Sequence, residues 1–354
     1  MKITHIHIER FRGFQNEDFE VGSLLTAIAG QNGTQKSTLL GIITQTFTLK
    51  TEDSMRVEKP LCGGSYISAF KDKFRLSPTF DKPKGHEWTI SFDAGMDDFT
   101  VESIKRTGDP NVRFWKKGAR QEGDGYISFP TIFLSLKRLV PVAEEAKIIT
   151  DDTLLTQEEL NEFKQLHNKI LIAQTPISSA TTITSKNKQS IGVSTELYDW
   201  NQNSMGQDNL GKIILALFSF KRLHDKYPRQ YKGGILAIDE MDATMYPASQ
   251  VELLKVLRKY ASKLNLQILF TTHSMSLLKA MDDLVQEVTK KEETANQAKI
   301  LYLKKVDDKI AIKQGVNFKG IQLDLNVVAE GNNRKKNRIT AYTDCLLYTS
   351  DAAD

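Results

Sequence analysis

Gly30-Gln31-Asn32-Gly33-Thr34-Gln35-Lys36-Ser37-Thr38 carries the strongest pattern in this 354-residue chain. The apolar run Leu24-Leu25-Thr26-Ala27-Ile28-Ala29 precedes it, and in residues 36–48 that follow, Leu40, Ile43 and Phe47 share one helical face. A continuous apolar run bounded by Gly predicts a strand covered on both faces, as in a parallel sheet. Strand, glycine loop and helix, in that order, fit the P-loop pattern G-x-x-x-x-G-K-[ST] at all but one position. In such a loop the backbone N–H groups ring phosphate oxygens, backed by the positive end of the helix. Lys36 is then expected to reach the β- and γ-phosphates, and the Ser37 hydroxyl to ligate Mg²⁺. The departure is Gln35, which stands where the pattern has Gly. A Cβ there obstructs close approach of backbone to phosphate, so Gln35 predicts weakened nucleotide affinity or turnover, or a slightly opened loop.

Three further stretches answer the first. Gly234-Ile235-Leu236-Ala237-Ile238-Asp239-Glu240 is an apolar strand ending in two acids, the Walker B arrangement. It delivers Asp239 to the carboxyl edge of a sheet, where it can hold Mg²⁺, while Glu240 can polarise an attacking water. Leu266-Gln267-Ile268-Leu269-Phe270-Thr271-Thr272-His273-Ser274 is another largely apolar strand leading into a His, which at that edge can hydrogen-bond the γ-phosphate or the attacking water. Ser204-Met205-Gly206-Gln207-Asp208 precedes the apolar helix from Ile213 to Phe218, and its small residues leave helix N–H groups open to an anion. Each stretch alone has a plainer reading, as a helix cap or a solvated acidic pair.

Their order is specific. P-loop, Ser-x-Gly-Gln, Asp-Glu and Thr-His-Ser in succession resemble the ABC-type ATPase head. The opening Ile8-Glu9-Arg10-Phe11-Arg12-Gly13-Phe14 resembles the start of its RecF, SMC and OLD-nuclease branch. Asp239-Glu240-Met241-Asp242-Ala243-Thr244-Met245-Tyr246-Pro247 is similar to the Walker B and D-loop segment of small prokaryotic AAA proteins of phage defence and abortive infection, with Met245 in place of Leu. The resemblance implies an α/β P-loop NTPase fold: a mostly parallel sheet flanked by helices, with an N-terminal antiparallel β lobe. It implies ATP and Mg²⁺ as ligands and Gly30 to Thr38 as the nucleotide-binding loop. Arg12 matches an Arg that approaches the phosphates. Ser204, Gly206 and Gln207 correspond to the signature motif, which contacts nucleotide held by the other protomer of a head-to-tail homodimer. The Q-loop Gln of such heads has no counterpart in Phe133-Leu134-Ser135-Leu136-Lys137-Arg138-Leu139-Val140-Pro141.

About 167 residues separate Ser37 from Ser204, and they read as β- and loop-rich, against a coiled-coil arm. Within them, 88–92, 99–104 and 112–115 read as short antiparallel strands in a β-rich insertion at about 49–129, and 131–134 as a strand returning to the main sheet. A helical region is expected at about 151–226, opened by the capping box Thr156-Gln157-Glu158-Glu159, with the Ser/Thr-rich stretch 175–195 as an exposed loop. The head is thus expected to span 1–330. Residues 331–344 read as a basic linker leading into Ile339-Thr340-Ala341-Tyr342-Thr343-Asp344, which resembles the first strand of a Toprim-like nuclease domain. Residues 345–354 resemble adapter read-through, so a longer natural protein is expected.

Composition is that of an ordinary globular chain, with 40% apolar and 26% charged residues. A net charge of +4 permits DNA as a partner without indicating it. Two cysteines, Cys62 and Cys345, exclude a disulfide framework, and no apolar run approaches a membrane span; a cytoplasmic setting is expected. The leading expectation is an ATP-hydrolysing head that gates a nuclease effector, in cis or in trans, in phage defence. Two alternatives are a nucleotide-sensing scaffold with little turnover because of Gln35, and a RecF-like DNA-repair ATPase.

Overall fold

The structure is a computed structural model that describes residues 1–326 apart from 68–69, 78, 94, 106–111, 120–124, 141–147, 152–153 and 186–188. The chain opens with strands β1 (Ile3–Phe11), β2 (Phe14–Glu20) and β3 (Leu25–Gly30), helix α1 (Lys36–Thr44), strand β4 (Phe47–Thr48) and the one-turn helix α2 (Phe70–Lys73). Next come β5 (Glu87–Phe92), β6 (Phe99–Lys105), β7 (Val112–Lys116), β8 (Ile127–Ser128), β9 (Thr131–Leu134), β10 (Ile149–Asp151), α3 (Gln157–Leu171), β11 (Ser179–Thr184) and β12 (Gln189–Ser194). The last part alternates: α4 (Met205–Lys226), β13 (Gly234–Ile238), α5 (Pro247–Lys263), β14 (Leu266–Thr272), α6 (Met275–Val288), β15 (Ala298–Val306), β16 (Lys309–Gln314) and α7 (Phe318–Leu325).

Every residue of β3, β13 and β14 is buried, as continuous apolar runs require. These strands form the centre of a six-stranded sheet ordered β16-β15-β3-β14-β13-β9, parallel except for β16 at one edge. Alternation along each strand splits the side chains between two cores. Ala27, Ala29, Leu236, Ile238, Ile268 and Phe270 pack with α4, α5 and α6. Ile28, Ile235, Ala237, Leu269 and Leu301 pack with α1 and a second sheet, the antiparallel β2-β1-β5-β6-β7. Phe11 anchors that second core, its ring 5.4, 5.7 and 5.5 Å from those of Phe74, Trp88 and Phe114.

One buried amide joins the two sheets. Gln267 on β14 accepts from the Ile3 N–H at 2.7 Å and donates to the Ile3 and Gly22 carbonyls at 2.8 and 3.1 Å. An otherwise largely apolar strand thus carries a polar residue where it meets main-chain groups of β1.

The structure departs from the sequence expectations in two places. The helix after the loop ends at Thr44 rather than residue 48. Phe47 and Thr48 pair with Ile127 and Ser128, because the fully buried Phe47 ring packs edge-on against Phe92 and Phe129. Strands β5 to β7 are antiparallel as expected, and form with β1 and β2, through pairing of β5 with β1, the N-terminal β lobe beside the main sheet. The stretch 175–195 contains the hairpin β11–β12, joined by β10, in place of an exposed loop; the region 151–226 therefore holds strands as well as helices. Its Ala180, Ile183, Ile191 and Val193 are buried, and the Thr residues among them suit a pleated surface. Ser/Thr-rich composition masked that alternation. The basic stretch 331–344, the tail 345–354 with Cys345, and Pro141 lie outside the described residues. Among the described residues no helix is long and apolar enough to cross a membrane.

Buried His167 on α3, beside Phe163, titrates against the fold. Neither ring nitrogen has a well-formed hydrogen bond, and burial pulls its pKa down to about 4, Asn168 opposing only in part. The unfolded chain binds the proton near the ordinary 6.5 while the folded chain refuses it until about 4, so stability falls as pH falls through that window. Urea unfolding between pH 7 and pH 4.5 is expected to show His167→Leu losing less stability than the parent, by up to roughly 3 kcal/mol for a shift of this size.

Candidate functional site

The carboxyl ends of β3, β13 and β14 converge on a cleft of about 250 Å³ lined by Asn32, Gly33, Gln35, Lys36, Ser37, Thr38, Glu240, Thr271 and His273. Gly30 and Gly33 adopt φ of 151° and 80°, which lets β3 turn sharply into α1. Lys36 folds back over the loop, donating to the Gly30 and Gln31 carbonyls at 3.1 and 3.0 Å. Thr34 Oγ1 closes the turn on the Gln31 carbonyl at 2.8 Å. Burial lowers the Lys36 pKa, while Glu240, Asp239 and Asp242 oppose the shift. An anion entering the loop would therefore meet a poorly solvated ammonium.

Asp239 ties the three strand ends together. Its Oδ1 accepts from Ser37 Oγ at 2.8 Å and from Thr271 Oγ1 at 2.7 Å. Thr271 Oγ1 also accepts the Glu240 N–H at 2.6 Å. A hydroxyl and a carboxylate in contact at the mouth of a phosphate loop are the hard oxygen donors that Mg²⁺ takes, so this pair fits the ion. Glu240 sits at φ 49°, in the left-handed region, beyond the strand end. Burial and nearby Lys36 lower the His273 pKa below its usual value, although the three acids pull the other way. That shift favours the neutral imidazole, which can both accept and donate.

The remaining expected residues lie around this cleft in different ways. Gln31 reaches away to the Asp324 carbonyl at 3.0 Å. Arg12 pairs both edges of Asp81 at 3.0 Å and places Nη1 3.5 Å from Thr38 Oγ1, so it flanks the loop while held by a carboxylate that also binds His86. Ser204, Gly206 and Gln207 do not line the cleft of their own chain. Ser204 and Gln207 form a reciprocal capping box on α4, Gln207 also donates to the Tyr198 hydroxyl, and Gly206 lies against the Thr244 carbonyl.

Gln35 shows how the odd loop residue is accommodated. It caps α1 at φ 62°, the conformation for which Gly is usual. Its side chain turns toward Gly13, where a Cβ would stand 2.9 Å from Gln35 Nε2. The absent side chain at Gly13 makes the room, while Gln35 Oε1 is buried without a partner.

A protein-family model described as an AAA ATPase domain matches residues 1–187 and 134–278, most of the chain. The chain belongs to the AAA ATPase domain family. The enzyme is accordingly an ATPase. An SMC head bound to the C-winged helix domain of ScpA has the same fold, with a TM-score of 0.51 at 13% identity over 91% of this chain and 100% of that one. The SMC head domain from Thermotoga maritima gives 0.48 at 14% identity over 89% and 100%. No curated protein matches the sequence.

Sequence reasoning missed four polar residues of this ATPase site. Thr271, in the Thr-Thr pair before His273, was readable as a second hydroxyl at the strand end. Arg138 and Asn209 had no local signal, because they serve the Glu240 and Ala243 carbonyls 102 and 34 residues away, whereas Gln250 serves the nearby Asp242 and Met245 carbonyls through a turn that no motif announced.

Replacing Gln35 by Gly removes a left-handed side-chain conformation worth about 1 kcal/mol. Gln35→Gly is expected to raise unfolding free energy by up to about that amount and to tighten ATP binding. Urea denaturation and a nucleotide titration measure the two effects separately.

Proposed function

We propose that this ATPase binds Mg·ATP between the loop Gly30 to Thr38 and the Asp239–Glu240 strand end, hydrolyses it with Glu240 as general base, and pairs head-to-tail around nucleotide. The contact of Ser37 with Asp239, in a cleft that Glu240 and His273 also line, carries this reading. Lys36 and the N–H groups of the loop bind the phosphates, and Ser37 and Asp239 hold Mg²⁺, which supplies neutralisation of developing charge. Glu240 takes a proton from water, and neutral His273 orients that water or the γ-phosphate. Signature residues outside their own cleft, with Leu197, Met205 and Tyr246 exposed nearby in the sequence and fold, suit contact with a second copy. The effector regulated by this head is a nuclease acting on nucleic acid, and the setting is phage defence. The defence setting rests on the motif Asp239 to Pro247, and the nuclease on the resemblance of residues 339–344 to the first strand of a Toprim-like domain.

The left-handed Gln35 favours a second reading, a nucleotide sensor with little turnover. Parallel assays of the parent and Glu240→Gln decide between them. The first reading expects hydrolysis to fall at least about 100-fold in Glu240→Gln. Mg·ATP binding should be retained, with an ATP-dependent dimer in sedimentation. Hydrolysis unaltered in Glu240→Gln removes Glu240 as the base; negligible turnover by the parent favours the sensor. Turnover stimulated by DNA, with binding that weakens steeply with salt, would instead point to repair.

A further inference from the structure

Arg138 lies just past β9, in a 3-10 turn (Leu136–Leu139), and is 2% exposed. Its guanidinium is spread over four acceptors. Nη1 donates to the Leu134 and Ser135 carbonyls at 3.2 and 3.1 Å, Nε to Asn209 Oδ1 at 2.7 Å, and Nη2 to the Glu240 carbonyl at 2.8 Å. Asn209, fully buried on α4, passes the connection on by donating to the Ala243 carbonyl at 2.9 Å. Burial lowers the Arg138 pKa to about 10, Asp239, Glu240 and Asp242 opposing, so the side chain stays charged at neutral pH.

A buried cation held by carbonyls and an amide, with no carboxylate hydrogen-bonded to it among the described residues, is a costly way to fill space. What it secures is specific. Glu240 holds φ 49°, and a non-glycine residue stays in the left-handed region only where its surroundings over-determine it. Three bonds do so here: the Glu240 N–H donates to Thr271 Oγ1, and the Glu240 carbonyl accepts from Arg138 at 2.8 Å and from the Ala243 N–H at 3.2 Å, of which only Arg138 reaches back to α4. The same guanidinium reaches α4 one turn after Ser204, Gly206 and Gln207.

We propose that Arg138 is the positioning residue for Glu240, and that with Asn209 it links the backbone of Glu240 to the signature end of α4. A displacement of α4 is carried through Asn209 and Arg138 to the peptide that aims the Glu240 carboxylate. The inference rests on Glu240 being the base. Among the described residues, Arg138 makes no hydrogen bond to the loop Gly30 to Thr38, so its loss should act on turnover rather than on nucleotide binding.

The test measures kcat and the Mg·ATP Kd for the parent, Glu240→Gln, Arg138→Lys, Asn209→Ala and the Arg138→Lys/Asn209→Ala pair. The proposal expects kcat to fall at least tenfold in each of the two single variants, with Kd within threefold of the parent. It expects the double variant to be no slower than the poorer single one, because both break one chain of contacts. A kcat within twofold of the parent in either single variant overturns it. So does a Kd that worsens in step with kcat, or a double variant whose loss is the product of the single losses. Should Arg138→Lys fail to fold, the kcat and Kd of Asn209→Ala, which leaves the arginine in place, decide by the same limits. If Glu240→Gln hydrolyses as the parent does, the base assignment falls instead, and the inference with it.

Discussion

One carboxylate oxygen holds the site together. Asp239 Oδ1 takes two hydroxyl donors, Ser37 from the start of α1 and Thr271 from the end of β14, and its own backbone continues β13. Three elements that are far apart in sequence are thereby brought to one atom of a residue that is 5% exposed, where water competes poorly for the same bonds. Around that atom the loop, the acidic strand end and His273 acquire their relative positions. A parallel sheet makes this arrangement available, because its strand ends lie side by side at one edge.

The energy behind that edge comes from the two cores. Alternating side chains on β3, β13 and β14 pack against helices on one side and against α1 and the antiparallel sheet on the other. Burial of such strands is favourable by about 25 cal/mol per Å² of apolar surface. Apolar packing alone does not set the register between the sheets. Gln267 does so by pairing with both main-chain groups of Ile3, and Arg138, Asn209 and Gln250 act in a like manner on the turn from Glu240 to Met245. A carbonyl left buried and unpaired costs about 1 to 3 kcal/mol.

Much of the fold was legible in local pattern. Gly30 to Thr38, the apolar run into Asp239 and the run into His273 each combine a strand with a distinctive terminus, and a strand's burial on both faces shows in its composition. The capping boxes at Thr156 and Ser204 are likewise short-range chemistry. The hairpin at 179–194 was illegible as strand because Ser and Thr favour turns as readily as pleats, and only contact with α4 selects between them. The shortening of α1 at Thr44 follows from the burial of Phe47 by partners more than 40 residues away.

The amino-acid sequence by itself determined that the chain carries a phosphate loop, a metal-compatible acid, an adjacent acid and a histidine, each at a strand end, because those signals depend on neighbours a few residues apart. Tertiary structure alone decided that Ser37 meets Asp239, that Gln35 fits because Gly13 has no side chain, and that Glu240 is held in a left-handed conformation by Thr271 and Arg138. The reason is physical. These are hydrogen bonds and close approaches between residues dozens to hundreds of positions apart, and no periodicity along the chain encodes them.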